Sequence, residues 1–161
     1  MKRMVCLILT VLLLIPSMTG CSGQLNEPVR FYYLRRNYQE SMDSPIASEE
    51  REASGHQENL KYLLSFYLMG PVSEELVSPL PRGVILYTLK QDGSSLSIEL
   101  SDTSASLSDS AFSLACACLT LTCTGLISVD EVTVSSGSRS LTMSTETLTL
   151  TDNVIPEEST K

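Results

Sequence analysis

Leu107–Thr124 reads LSDSAFSLACACLTLTCT, and whether this stretch forms a helix or a strand decides the fold. Phe112, Cys116, Leu119 and Cys123 recur at spacings of four, three and four, which gathers them on one face of a helix. Ser108, just ahead of them, is a residue type that caps helix N-termini. The alternation Leu119-Thr120-Leu121-Thr122-Cys123 also suits a strand, and threonine lowers helix propensity. The helical spacing of the apolar positions decides for a helix, with Gly125 expected to end it.

Outward from this segment the chain alternates between strand and helix texture. Toward the C-terminus, Val129–Ser135 (VDEVTVS) reads as a strand, and Ser136-Gly137-Ser138 turns into another over Ser140–Met143. Thr147–Leu150 is expected to add a short edge segment. Toward the N-terminus, Val84–Lys90 (VILYTLK) and Ser95–Leu100 (SLSIEL) flank Gln91-Asp92-Gly93-Ser94, and Asp-Gly between β-rich runs marks a hairpin. Leu96, Ile98 and Leu100 alternate with polar residues, so one face of that strand is buried. Gly55–Met69 reads as a helix whose apolar face is Leu60, Leu63, Leu64, Tyr67 and Leu68, stopped by Gly70-Pro71. In the Val72–Gly83 loop, Leu76, Val77 and Leu80 are expected to plug the core. Val29–Arg36 (VRFYYLRR) is a first strand. Asn37–Ser54 is polar and acidic and reads as a long loop, with local helix at Ser48–Ala53. The fold class expected is α+β, a small mixed sheet with two helices packed on one face.

The N-terminus carries an address. Lys2 and Arg3 precede an apolar run from Met4 to Pro16, and Met18-Thr19-Gly20-Cys21 follows. Basic residues, a short apolar stretch and small residues, in that order, form a secretory signal. The run is shorter than the ~20 apolar residues a bilayer span needs. Small residues before a cysteine resemble a bacterial lipobox, in which the Cys21 thiol receives diacylglycerol and becomes the new N-terminus. The expected organisation is a lipoprotein signal peptide over 1–20, a tether over 21–28, a domain over 29–151 and a disordered tail over 152–161. Cleavage removes two bases and no acid, which moves the formal charge from −8 to −10. Such a surface repels nucleic acid and anionic headgroups, so attachment to a membrane would rest on the lipid.

Catalytic patterns are missing. His56 is the single histidine. Cys116-Ala117-Cys118 lacks partners at zinc-site spacing, and the sequence has no phosphate-cradling glycine loop, serine elbow or Cys-Xaa-Xaa-Cys motif. Glu49-Glu50 and Glu74-Glu75 read as solvated charge. With Cys6 in the signal and Cys21 as the lipid site, Cys116, Cys118 and Cys123 remain, an odd number. Cys116 and Cys123 are expected to pack as small buried hydrophobes, with Cys118 off their stripe. No enzyme activity, metal or cofactor is expected.

The order of these elements resembles the GerM-type sporulation and germination domain over Val29–Leu150. The residues that carry the resemblance are Leu63-Leu64 through Met69-Gly70-Pro71, then Leu80-Pro81-Arg82-Gly83, Asp92-Gly93 and Ile98-Glu99-Leu100-Ser101. Gly125-Leu126-Ile127 and Glu131-Val132-Thr133-Val134 complete it. The Cys- and Thr-rich second helix and the long polar loop after the first strand depart from the family's usual pattern. The resemblance implies a non-enzymatic envelope protein whose fold is similar to ring-building domains of secretion and sporulation channels. It implies a lipid-anchored module on the outer side of the cell membrane, in spore-envelope assembly or germination, with envelope proteins or its own copies as partners. The alternative is a surface lipoprotein that binds a small ligand or a cell-wall polymer, for which Asn37–Ser54 is the segment long enough to supply a site.

Overall fold

A computed structural model describes residues 28–39, 44–53 and 55–152. Cys21 and the signal peptide lie outside the described residues, as do the tether up to residue 27 and the tail from residue 153. The strands are β1 (Val29–Arg35), β2 (Ile46–Arg51), β3 (Leu76–Val77), β4 (Leu86–Asp92), β5 (Ser95–Leu100), β6 (Glu131–Ser136) and β7 (Arg139–Ser144). The helices are α1 (Leu60–Leu68), α2 (Asp109–Leu126) and α3 (Thr145–Asp152), with a 3-10 turn at Asp102–Ser106 ahead of α2.

The architecture is α+β, as the periodicities imply, but its strands divide into two sheets. The mixed sheet runs β4-β5-β6-β7, with β5 and β6 parallel and the outer pairs antiparallel. Parallel neighbours need a long crossover, and α2 lies in it. The second sheet, β2-β1-β3, is antiparallel.

α2 is a helix, capped as expected: the Ser108 hydroxyl accepts the Ala111 N–H at 3.3 Å. It packs against β1 of one sheet and against β6 and β7 of the other. That double contact widens its buried arc beyond one stripe. Cys116, Leu119 and Cys123 join the core with Phe112, as expected, but Cys118, Thr120 and Thr122 are buried too. Cys118 therefore does not lie off the protected surface. Thr122 has a specific use. The Arg35 N–H points to Pro45 in the β2 direction and the Arg36 N–H to Glu75 near β3, so even-numbered donors of β1 face the β3 side. β3 pairs only with Leu34 and Arg35, and Tyr32 lies beyond it. The Thr122 hydroxyl accepts the Tyr32 N–H at 3.0 Å and satisfies that donor. By length and composition alone α2 could cross a membrane, but half of it is buried inside the domain.

Other expectations shift. Ser48–Ala53 is not helical: Ile46–Arg51 is a strand that pairs with β1 from Leu34 to Val29. Alternation explains it, because Ala47, Glu49 and Arg51 turn inward while Ser48 and Glu50 face solvent. α1 begins at Leu60 rather than Gly55. Gly55 has φ 80, outside helical space, and the Asn59 side chain caps the helix through the Tyr62 N–H at 3.0 Å. Val77 stays partly exposed while Leu76 and Leu80 are buried. β4 is displaced two residues toward the turn, since Ile85 bonds Ser101 outside the regular ladder and a bulge follows at Leu86–Thr88. Gly125 lies within α2, not past its end. Thr147–Leu150 belongs to α3, not to an edge strand. Ser144 pairs with Glu131, the first residue of β6, and the regular ladder ends there; the Thr145 N–H still donates to the Asp130 carbonyl at 3.3 Å as the chain turns into α3.

Candidate docking site

Two charged residues of β2 reach the end of α1. Glu49 and Arg51 lie two apart on the strand, so both point inward, and their side chains keep only 12% and 7% of their exposure. They form an ion pair, with the Arg51 Nε donating to Glu49 Oε1 at 2.7 Å. The Glu49 carboxylate also accepts the Val72 N–H at 3.0 Å and the Ser73 N–H at 2.9 Å. Arg51 donates to the Gly70 carbonyl at 2.5 Å and to the Tyr33 hydroxyl at 3.3 Å. Its guanidinium lies 5.0 Å from the Phe66 ring centre and 5.4 Å from that of Phe31. Desolvation pushes the Glu49 carboxyl up, but the Ser73 and Val72 N–H groups and Arg51 outweigh it and hold the acid below its usual range. Gly70, at φ 95, reverses the chain where α1 stops. The reversal leaves N–H groups without helical partners, and the carboxylate takes two of them. Gly70–Ser73 is thus a turn clamped from beneath.

Above the clamp two apolar side chains stand in solvent within a mixed surface. Met69 is 80% exposed and Val72 77%. They border a groove of about 390 Å³ whose lining includes Val77, Pro81, Arg36 and Arg82. Gly70 and Pro71, which carry part of the sequence resemblance, line it as well; Gly83 is not in the lining. In two other surface hollows the arginine of the lining is committed to structural bonds. One contains Arg30, paired with Glu50 at 2.6 Å. The other contains Arg139, which bonds the Ala105 and Leu107 carbonyls and Asp109, and covers the Phe112 ring at 4.3 Å.

The remaining candidate residues do not converge. Cys116, Cys118 and Cys123 are free, buried thiols, each pushed up to about 12 by burial, so none is poised as a thiolate. His56 packs on the Tyr62 ring at 4.3 Å. Tyr33 stacks on Tyr67 at 4.7 Å and donates its hydroxyl to the Tyr67 carbonyl, which makes this pair part of the core. Among the described residues no three His, Cys, Asp or Glu side chains gather where they could hold a metal ion. Glu74 and Glu75 lie in the loop between the turn and β3, and Glu74 lines the groove. The loop that suggested a ligand site contains β2, and two of its charged residues serve the clamp. Sequence reading missed Glu49 and Arg51; the signal available was their two-residue spacing with Ala47.

No protein-family model matches the chain, and no curated protein sequence matches it. Solved structures do. A Clostridium perfringens protein provisionally described as a lipoprotein aligns with a TM-score of 0.48 at 18% identity, over 76% of this chain and 91% of that one. The tandem GerMN domains of the sporulation protein GerM from Bacillus subtilis align with a TM-score of 0.50 at 18% identity. That match covers 75% of this chain and 43% of the tandem protein, so the chain spans less than half of its neighbour's length. The order of elements read from the sequence and the alignment to GerMN agree, and the chain has a GerM-like fold.

Proposed function

We propose that this chain is a lipid-anchored envelope protein whose GerM-like domain works through protein contacts in spore-envelope assembly or germination. The observation that carries the proposal is the joining of two features on one chain: a lipobox-like signal ending at Cys21 and the fold of a sporulation protein's domain. The free, protonated cysteines and the clamped apolar turn support a binding module over a catalyst. The acidic surface opposes self-association of the free domain, while anchoring would confine copies to a plane and raise their effective concentration. Contacts are therefore expected to be weak in solution and stronger on a membrane.

The anchor is tested by metabolic labelling with a fatty acid. Wild-type protein should take up label and Cys21→Ala should not; equal labelling removes the anchor from the proposal. The contacts are tested by crosslinking in cells, comparing wild type with a soluble form bearing an ordinary cleaved signal. Specific partners that require anchoring support the reading. If no partner appears and a small ligand strongly stabilises the purified protein, the ligand-binding reading replaces it.

A further inference from the structure

Seven large apolar side chains are exposed among the described residues, and five of them (Met69, Val72, Val77, Ile85 and Tyr87) fall in one 19-residue stretch. Scattered exposed apolar residues need no explanation, but a local concentration does. Met69, Val72 and Val77 line the groove. The turn that presents the first two is fixed by the Glu49–Arg51 clamp. An enclosed ion pair is a weak source of stability, since apolar residues of equal volume often serve as well. What such a pair adds here is direction: it sets the position of the Val72 and Ser73 backbone before any partner arrives.

The groove also departs from the rest of the chain in charge. Its charged lining residues are Arg36, Arg82 and Glu74, a net positive set on a chain with formal charge −8. Among the described residues neither arginine has a carboxylate partner: Arg36 donates to the Glu74 and Leu76 carbonyls, and Arg82 is exposed. At Leu76 the adjoining strand edge has no free N–H to offer a partner strand. The Leu76 N–H is held by the Ser73 carbonyl at 3.2 Å, and the Leu76 carbonyl accepts from Arg36 at 3.3 Å. This favours a partner that enters by its side chains rather than by adding a strand. A volume of about 390 Å³ is near the low end of ligand pockets, roughly 300–1,000 Å³, and suits one or two side chains.

We infer that the groove receives a peptide segment of a partner protein that presents a bulky apolar side chain beside a carboxylate. The apolar group lies against Met69, Val72 and Val77, and the carboxylate meets Arg82. This inference rests on the protein-contact reading above and names the chemistry of the partner.

The experiment selects a phage-displayed random peptide library on the processed full chain, with parallel panning on Arg82→Glu and on Met69→Ser/Val72→Ser. The altered side chains are exposed, and unchanged melting of each variant verifies its fold. Enriched peptides should share an apolar residue next to Asp or Glu and should bind Arg82→Glu about tenfold more weakly. They should also lose binding to the double serine variant. The absence of a shared sequence overturns the inference, and so does equal binding to the variants. So does dependence on Met69, Val72 and Arg82 for flotation with phosphatidylglycerol vesicles without peptide enrichment, which would assign the surface to lipid. The in-cell crosslinks separate the two proposals. Partners that persist unchanged in Arg82→Glu and in the double serine variant leave the contact reading standing and remove the groove. No partner for wild type, with peptide selection positive, removes the cellular reading and keeps the groove.

Discussion

The long helix α2 and the Gly70–Ser73 turn are both fastened to strands, by opposite means. α2 is held by Phe112, Cys116, Leu119 and Cys123 against an apolar core that includes Ile98, Val132 and Val134. The turn is held by one carboxylate and one guanidinium that bond its backbone. Apolar burial has no direction and tolerates exchange among side chains of similar volume. The ion clamp is directional, and loss of either partner strands the other. The comparison implies that the domain's stability resides mainly in the helix seam, while the shape of its exposed apolar turn resides in two residues of β2.

The largest effect should come from breaking the clamp. Glu49→Ala leaves the Arg51 cation enclosed without its partner and frees two backbone donors. Removing one member of a buried pair costs about 3–5 kcal/mol, and the lower part of that range fits a carboxylate that retains some exposure. Urea denaturation measures it; a loss below about 1 kcal/mol would mean that the turn holds itself. The acid dependence has a definite sign. The folded carboxyl is held below its ordinary value of 4.5, so its stabilisation is full above that value and is lost as pH falls through the lower folded value. Glu49→Gln should flatten that part of the acid limb and leave the rest of the curve in place.

The helix seam is probed by its thiols. One apolar stripe would protect Cys116 and Cys123 and leave Cys118 open, whereas contact with both sheets protects all three. Cys116→Ser and Cys118→Ser should each destabilise by about 1–3 kcal/mol, the usual range for a buried hydroxyl without a good partner. Native protein should resist alkylation at all three positions near pH 8, because burial pushes each thiol from 9.0 up to about 12. Their contribution is full below pH 9 and declines as pH rises toward 12, where only the unfolded chain ionises freely. Rapid labelling of Cys118 alone would restore the single-stripe helix and break the two-sheet contact.

Elements defined by apolar spacing were legible. The α2 pattern, the Leu96-Ile98-Leu100 alternation and the Asp92-Gly93 turn each state their structure locally. Elements defined by a distant partner were not. β2 is polar except for Ile46 and Ala47, and it is a strand because β1 lies beside it along its whole length. α3 has strand-like alternation in Thr147–Leu150 and is helical because it lies just past the end of the β6–β7 ladder. The division into two sheets likewise depends on which edges meet, and no local spacing encodes that. For the groove, Gly70-Pro71 was visible as a helix stop, but its exposed apolar neighbours and the buried charges beneath it could be told apart only once the chain was folded.

The smallest effect belongs to Glu50, and it tests the comparison most finely because Glu50 adjoins Glu49. The sequence presents the two acids as one solvated pair. On β2 they fall on opposite faces: Glu49 bonds the turn, while Glu50 meets Arg30 at 2.6 Å, with 52% and 55% of the two side chains exposed. Such a pair exchanges good hydration for a modest attraction, restricts two long side chains and is screened by salt. Glu50→Ala should therefore leave the denaturation midpoint within experimental scatter, and raising ionic strength should erase any small difference. Glu49→Ala should keep most of its effect at the same salt, because an enclosed pair is screened far less. A Glu50→Ala loss equal to that of Glu49→Ala would mean that the outer face of β2 carries as much of the fold as the inner one. The burial that distinguishes adjacent acids on this strand would then have no energetic counterpart.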